Sequence, residues 1–183
     1  MVSSSVSRPK ALSFLPTLIG IELEARRKLD LLDEALRDFT LIANVTLSRS
    51  RVSIEQTGGD VTGMGFMTSV SRPMMLHAPW VVNLALDYAN QKLGFGARLL
   101  YNVTGPRVVD IGTLGVPDEY IQPRHTVDLA LTQKLTEQLQ AKLTIEDLLN
   151  TDTVVTVGSK RSGEVARRVS EGTVFVLGVG YAY

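Results

Sequence analysis

The sequence has no cysteine, no net charge and no long apolar run. The absence of cysteine excludes disulfide frameworks, thiolate zinc sites and cysteine nucleophiles. Nineteen basic and nineteen acidic residues cancel, which argues against nucleic acid or another polyanion as the partner. No window approaches the roughly 18 uninterrupted apolar residues that indicate a membrane-spanning helix, so any membrane contact must be made through strands.

A secretory signal is not expected at the N-terminus. Arg8 and Lys10 precede an apolar run, but Pro16 interrupts that run. No convincing cleavage motif follows before the charged stretch ELEARRK. We therefore interpret residues 1–18 as a poorly patterned segment and residues 19–183 as the folded unit.

Apolar and polar residues alternate with a period of two through much of the chain, which is typical of strands with two different faces. Two pairs of runs predict hairpins, with a tight turn at Asn90-Gln91 and another turn near Leu135 to Glu137. The pattern therefore predicts an all-β antiparallel fold of about seven strands. The alternating runs cover residues 19–28, 39–48, 81–88, 92–104, 127–132, 139–146 and 173–183.

The connections between these runs alternate in length. Short connections cover 29–38 and the two hairpin turns, whereas 53–79, 105–123 and 151–172 are long. The helical spacing in 29–38 predicts no more than one turn within a connection. Residues 154–157 and 165–169 are predicted to extend the last hairpin. Short turns at one end and long loops at the other are typical of transmembrane β-barrels.

The two faces of the predicted strands differ in a way that also fits a barrel. Aromatic residues fall near both ends of the apolar face, as interfacial belts would: Phe39, Tyr88, Tyr181 and Tyr183 at one end, Trp80 and Tyr101 at the other. Alternation alone also fits a soluble sandwich or a lipocalin-like barrel. However, full charges on the polar face favour a wide, water-filled lumen. The possible lumen-lining residues are Glu22, Glu24, Arg26, Asp87, Arg98, Asp128, Lys142 and Glu146.

The sequence resembles the C-terminal part of the β-barrel of TonB-dependent outer-membrane receptors. The resemblance covers roughly residues 19–183 and is strongest over 72–150, in RPMMLHAPWVVNLALDYANQKLGFGARLLYNVTGPRVVDIGTLGVPDEYIQPRHTVDLALTQKL followed by LTIEDLLN. It implies a segment of a transmembrane barrel of twenty-two strands, in the outer membrane of a Gram-negative bacterium. The implied task is uptake of a solute such as a siderophore, vitamin or saccharide.

The resemblance also carries expectations about partners. These are outer-membrane lipid, the barrel assembly machinery and a small-molecule solute, with TonB reached only through a plug that this chain lacks. The chain is accordingly expected to be a truncated fragment of a longer receptor. The alternatives are a small stand-alone outer-membrane barrel with an adhesin-like or structural role and, less favoured, a soluble ligand-binding barrel or an enzyme.

No catalytic, metal or cofactor site is expected from the sequence. His77 and His125 are far apart, and neither belongs to a recognisable ligand set. The stretches GFGA and GVGY are not phosphate loops, because neither leads from a strand into a helix.

The last run, TVFVLGVGYAY, is interpreted as the closing strand of the barrel. Its apolar face would carry Phe175, Leu177, Val179, Tyr181 and Tyr183 towards lipid. By resemblance, a final strand with an aromatic last residue is recognised by the barrel assembly machinery.

We therefore expect Tyr183→Asp to reduce outer-membrane insertion of the intact barrel, because a terminal charge would weaken that recognition. The amount of barrel recovered in the outer-membrane fraction measures this effect. Unchanged insertion would contradict the assignment of a closing strand.

Overall fold

The computed structural model describes residues 16–53, 71–159 and 163–182, and these form antiparallel β-sheets. The predicted all-β antiparallel fold is thereby confirmed. The strands are β1 (Thr17–Lys28), β2 (Phe39–Ser53), β3 (Ser71–Arg72), β4 (Trp80–Asn90), β5 (Phe95–Thr104), β6 (Arg107–Asp110), β7 (Glu119–Ile121), β8 (Arg124–Lys134), β9 (Leu139–Glu146), β10 (Thr153–Val157), β11 (Val165–Val169) and β12 (Val174–Tyr181).

The larger sheet contains the seven long strands in the order β1-β2-β4-β5-β8-β9-β12, and the short β3 pairs with the end of β2. Neighbours along this order are consecutive long strands of the chain, so the sheet is a meander. Within the described residues it is open: β1 pairs with β2 alone and β12 with β9 alone. Because five strands lie between the two edge strands and every neighbouring pair is antiparallel, β1 and β12 run in the same direction.

Short connections lie at one end of this sheet and long ones at the other, as the sequence predicts. The first short connection holds two 3₁₀ turns, Leu29–Leu31 and Glu34–Leu36, rather than one turn. The prediction of a two-residue turn at Asn90-Gln91 is wrong, because Asn90 still pairs with Phe95 and the turn covers 91–94. The Asn90 carboxamide accepts the Leu93 N–H at 3.1 Å, which stabilises this longer turn.

The long connections build a second, four-stranded sheet in the order β11-β10-β7-β6. The prediction that 154–157 and 165–169 extend the last hairpin is therefore wrong about the sheet they join. β10 and β11 do pair with each other, but β10 also pairs with β7 from a different connection. Pairing between connections places a small sheet at the long-loop end of the large one.

Most of the fully buried side chains lie in this small sheet. Val108 of β6, with Val155 and Thr156 of β10, have less than 2% of their surface exposed. In the large sheet, by contrast, every residue of β1 and β12 is exposed. The large sheet is thus a single layer, and the hydrophobic core lies at its long-loop end.

Arg124 joins the two sheets at the start of β8. Its guanidinium donates to the Asp147 carboxylate at 2.6 Å, to Glu171 at 3.1 Å and to the Thr151 carbonyl at 2.8 Å. Asp147 is buried and has a φ of 54°, in the left-handed region that Asp tolerates better than most residues. The Arg124 side chain thereby holds both the connection before β10 and the connection after β11.

We expect Arg124→Ala to destabilise the attachment of the small sheet by about 2 kcal/mol, because it leaves the buried Asp147 carboxylate without its charged partner. Hydrogen exchange of the β10 amides measures this effect. Arg168→Ala is the matched control, because Arg168 pairs with Asp152 at 3.3 Å on the exposed surface of β11. This control should change stability by less than about 1 kcal/mol. Equal effects of the two variants would contradict the role given to Arg124.

Candidate functional site

The register of the large sheet runs without a shift across all seven strands, and it places most apolar side chains on one face and most polar side chains on the other. Residues directly opposite each other in paired strands share a face. One row therefore crosses the whole sheet and carries Arg27, Leu41, Leu86, Leu99, Leu129, Ile145 and Phe175. Of its six apolar members, Leu41, Leu99 and Phe175 are exposed, and the other three are half-buried. The candidate functional site is therefore the large sheet itself, which presents apolar side chains on one face and polar side chains on the other.

The apolar stretch shifts steadily along the strands from β1 to β12. On β1 it runs from Ile19 to Ala25 and ends before Arg27, whereas on β12 it begins at Phe175, in the same row as Arg27, and runs to Tyr181. Because the two strands run in the same direction, their midpoints at Glu22 and Gly178 are displaced by eight residues.

This displacement defines an angle. Eight residues rise about 27 Å along a strand, and six inter-strand spacings cover about 29 Å across the sheet. A line through the middle of the apolar stretches therefore crosses the hydrogen-bonded rows at about 43°.

Aromatic residues mark both ends of the apolar face. At the short-turn end, Phe39 contacts Tyr88 with ring centroids 4.9 Å apart, and Tyr88 lies 6.1 Å from Phe95. At the long-loop end, Trp80 lies opposite Leu47 and begins β4. Tyr101 is two residues further from the long-loop end of β5 than Val103, which is the last apolar residue of β5 on this face.

The run that the sequence predicts as a closing strand forms β12, which pairs with β9 at one edge of the large sheet. Phe175, Leu177, Val179 and Tyr181 share the apolar face of β12, whereas Tyr183 lies outside the described residues. The glycines of this strand turn to the polar face, where Gly178 lies opposite Lys142.

All eight predicted lumen-lining residues lie on the polar face, as the register requires. Two of them form an ion pair: Arg98 donates through two nitrogens to Asp87, at 2.5 and 2.7 Å. Lys142 lines a shallow cavity of about 320 Å³ beside this pair. Asp128 instead accepts the Asp147 N–H at 2.8 Å, so it supports the turn that follows β9.

The polar face also carries a ladder of side-chain amides that the sequence analysis did not single out. Asn102 donates to Asn83 at 2.6 Å, Asn83 to Asn44 at 3.4 Å, and Asn44 to the Glu22 carboxylate at 2.5 Å. The three asparagines occupy one row across β2, β4 and β5. Periodicity assigns each of them to the polar face, but only the register shows that they are adjacent.

The two histidines have structural contacts. Nε2 of His77 lies 2.9 Å from the Ser48 hydroxyl, and Nδ1 lies 2.8 Å from the Ser50 hydroxyl. Nδ1 of His125 lies 2.7 Å from the Tyr101 hydroxyl on the apolar face. Among residues 16–53, 71–159 and 163–182, no cluster of three or more His, Cys, Asp or Glu side chains could hold a metal ion.

In the part of the chain that the structure describes, no helix is long and apolar enough to cross a membrane. Comparisons with known proteins add no assignment: no family model matches the chain, and neither a curated protein nor a solved structure matches it.

We expect Asn83→Ala to lower the free energy of unfolding by about 1 kcal/mol, because it removes two of the three inter-strand hydrogen bonds of the amide ladder. Guanidinium unfolding in detergent micelles measures this change. Thr132→Ala on the same face serves as the control and should change stability less. A control effect as large as that of Asn83→Ala would show that the amide ladder contributes little.

Proposed function

We propose that this chain forms the C-terminal part of the wall of an outer-membrane β-barrel of the TonB-dependent receptor type. In this proposal the barrel admits a small solute, such as a siderophore, vitamin or saccharide, into a Gram-negative cell. The apolar face contacts lipid, and the polar face lines the lumen.

The oblique course of the apolar stretches carries the proposal. If these stretches lie at one level in a bilayer, the strands must lean about 43° from the membrane normal. Strands of transmembrane barrels tilt by about 35–45°. A soluble sandwich has no such requirement, because its apolar face needs only to match the sheet packed against it.

The height of the apolar stretches gives independent support. Phe39 and Leu47 bound the stretch on β2, eight residues or about 27 Å apart along the strand. With the strand leaning as above, this corresponds to about 20 Å along the membrane normal. The apolar band of transmembrane barrels is about 25 Å tall, and the side chains at each end extend beyond their Cα atoms.

The direction of the edge strands bears on how such a barrel closes. β1 and β12 run in the same direction, so they cannot pair antiparallel with each other. A fully antiparallel barrel requires an odd number of further strands between them. This favours a wall segment within a larger barrel over a small barrel made of these seven strands alone.

Energised uptake requires contact with TonB through a plug. The proposal assigns that task to polypeptide other than the seven-stranded wall, whose own role is to enclose the lumen and support the outer loops.

A matched pair of substitutions tests the orientation of the two faces. Leu99 lies in the middle of the apolar face, and its neighbour Leu100 lies on the polar face. We expect Leu99→Arg to prevent insertion into phosphatidylcholine vesicles, because an arginine near the bilayer midplane costs about 2–4 kcal/mol. Leu100→Arg should leave insertion intact, because its charge would face water.

Trp80 provides the readout, because it is the one tryptophan of the chain. Insertion should place its indole near the outer interface, where brominated lipids quench its fluorescence according to depth. Quenching that persists in Leu99→Arg, or is lost only in Leu100→Arg, would contradict the proposed orientation. A wild-type chain that gives no quenching would contradict membrane insertion itself.

A further inference from the structure

A cavity of about 420 Å³ lies where the long-loop end of the large sheet meets the small sheet. Its volume falls within the ~300–1,000 Å³ that small-molecule sites occupy. Two elements of the large sheet and three of its connections contribute to it. The lining residues are Ser48, Arg49, Ser50, Arg51, Ser71, Arg72, Pro73, His77, Pro79, Pro106, Val108, Tyr120 and Ser159.

Apolar groups form much of the cavity wall. Pro73, Pro79 and Pro106 contribute rigid rings, and Tyr120 contributes an aromatic ring. Val108 is fully buried and lies opposite Tyr120 in the pairing of β6 with β7. Such a wall suits the flat or branched apolar body of a small molecule.

The charged side chains among the described lining residues are all arginines, namely Arg49, Arg51 and Arg72. None of the lining residues within 16–53, 71–159 and 163–182 is acidic. Burial and the nearby charge of Asp118 raise the pKa of the Tyr120 phenol, and the positive charge of Arg72 opposes this rise. Arg72 therefore lies within electrostatic reach of the aromatic wall.

The Asp118 carboxylate, whose charge acts on Tyr120, is already engaged. Asp118 is buried and accepts the Gly112 N–H at 2.8 Å. It therefore belongs to the loop between β6 and β7 rather than to the cavity lining.

Hydrogen bonds fix one side of the cavity. The Ser48 hydroxyl donates to the Ala78 carbonyl at 3.2 Å, so it accepts from His77 Nε2–H at 2.9 Å. The Ser50 hydroxyl accepts the Met74 N–H at 3.0 Å and can donate to the unprotonated Nδ1 of His77. This network uses both imidazole nitrogens and attaches the connection before β4 to β2. This side of the cavity is therefore held in place before any ligand binds.

We propose that this cavity binds a small organic carboxylate with an apolar body. The carboxylate lies on the guanidinium of Arg72, which can donate to both of its oxygens, and the apolar body packs against the prolines and Tyr120. The inference deepens the proposed function by naming the class of solute, and it relies on that function only for the side from which the ligand arrives.

Benzoate and its neutral isostere benzamide test this site on the full 183-residue chain in detergent micelles. We expect equilibrium dialysis to show benzoate bound at least 10-fold more tightly than benzamide. Arg72→Gln should remove this preference, whereas Arg72→Lys should retain part of it. Arg167→Gln, an exposed arginine of β11 outside the cavity, should leave the preference unchanged.

The preference for benzoate over benzamide separates loss of charge from loss of fold, because a misfolded variant would lose both ligands. Equal binding of the two ligands by the wild-type chain would overturn the proposal. Inorganic phosphate that competes as well as benzoate would also overturn it, because the apolar wall would then contribute nothing.

The outcome is independent of membrane insertion. Benzoate binding by a chain whose Trp80 stays unquenched would overturn the membrane proposal and leave the carboxylate site standing. Insertion without benzoate selectivity would do the reverse.

Discussion

The continuous hydrogen-bonded register from β1 to β12 is the constraint on which the rest of the structure depends. Side chains alternate with a period of two, so a slip of one residue between any two strands would exchange the faces of everything beyond it. Such a slip between β4 and β5 would move Leu99 among the charges and Arg98 among the leucines. The ion pair of Asp87 with Arg98, the amide ladder and the unbroken apolar rows all require the same register.

The two sheets obtain their stability from different sources. The small sheet buries Val108 and Val155, and Arg124 holds its connections, so it has the elements of an ordinary water-soluble core. The large sheet has one layer and leaves many of its apolar side chains exposed, so burial within the chain contributes less to it. Its stability therefore depends on what covers the apolar face, and a lipid surface of matching height is the environment that we propose.

The sequence predicted well what depends on local pattern. Long alternating runs located the seven strands of the large sheet, and the assignment of residues such as Glu24 and Lys142 to one face follows from their spacing. It predicted the small sheet poorly, because β6, β7, β10 and β11 are each three to five residues long and pair across different connections. No period-two window of that length distinguishes a strand from a loop.

The side-chain networks escaped prediction for a related reason. Asn44, Asn83 and Asn102 are separated by 39 and 19 residues, and only the pairing of strands makes them neighbours. The same holds for Arg124 and Glu171, which are 47 residues apart. Contacts of this kind depend on topology, which the sequence pattern indicates only after the order of the strands is known.

The shared direction of β1 and β12 has a consequence for how the chain can fail to assemble. Until further strands cover these edges, β12 offers unpaired backbone groups, and an antiparallel match is available in the β12 of another copy turned by a two-fold rotation. A bilayer excludes that arrangement because one copy would be inverted, but water permits it. Misassembly in the aqueous phase should therefore begin with inverted pairs of chains joined edge to edge.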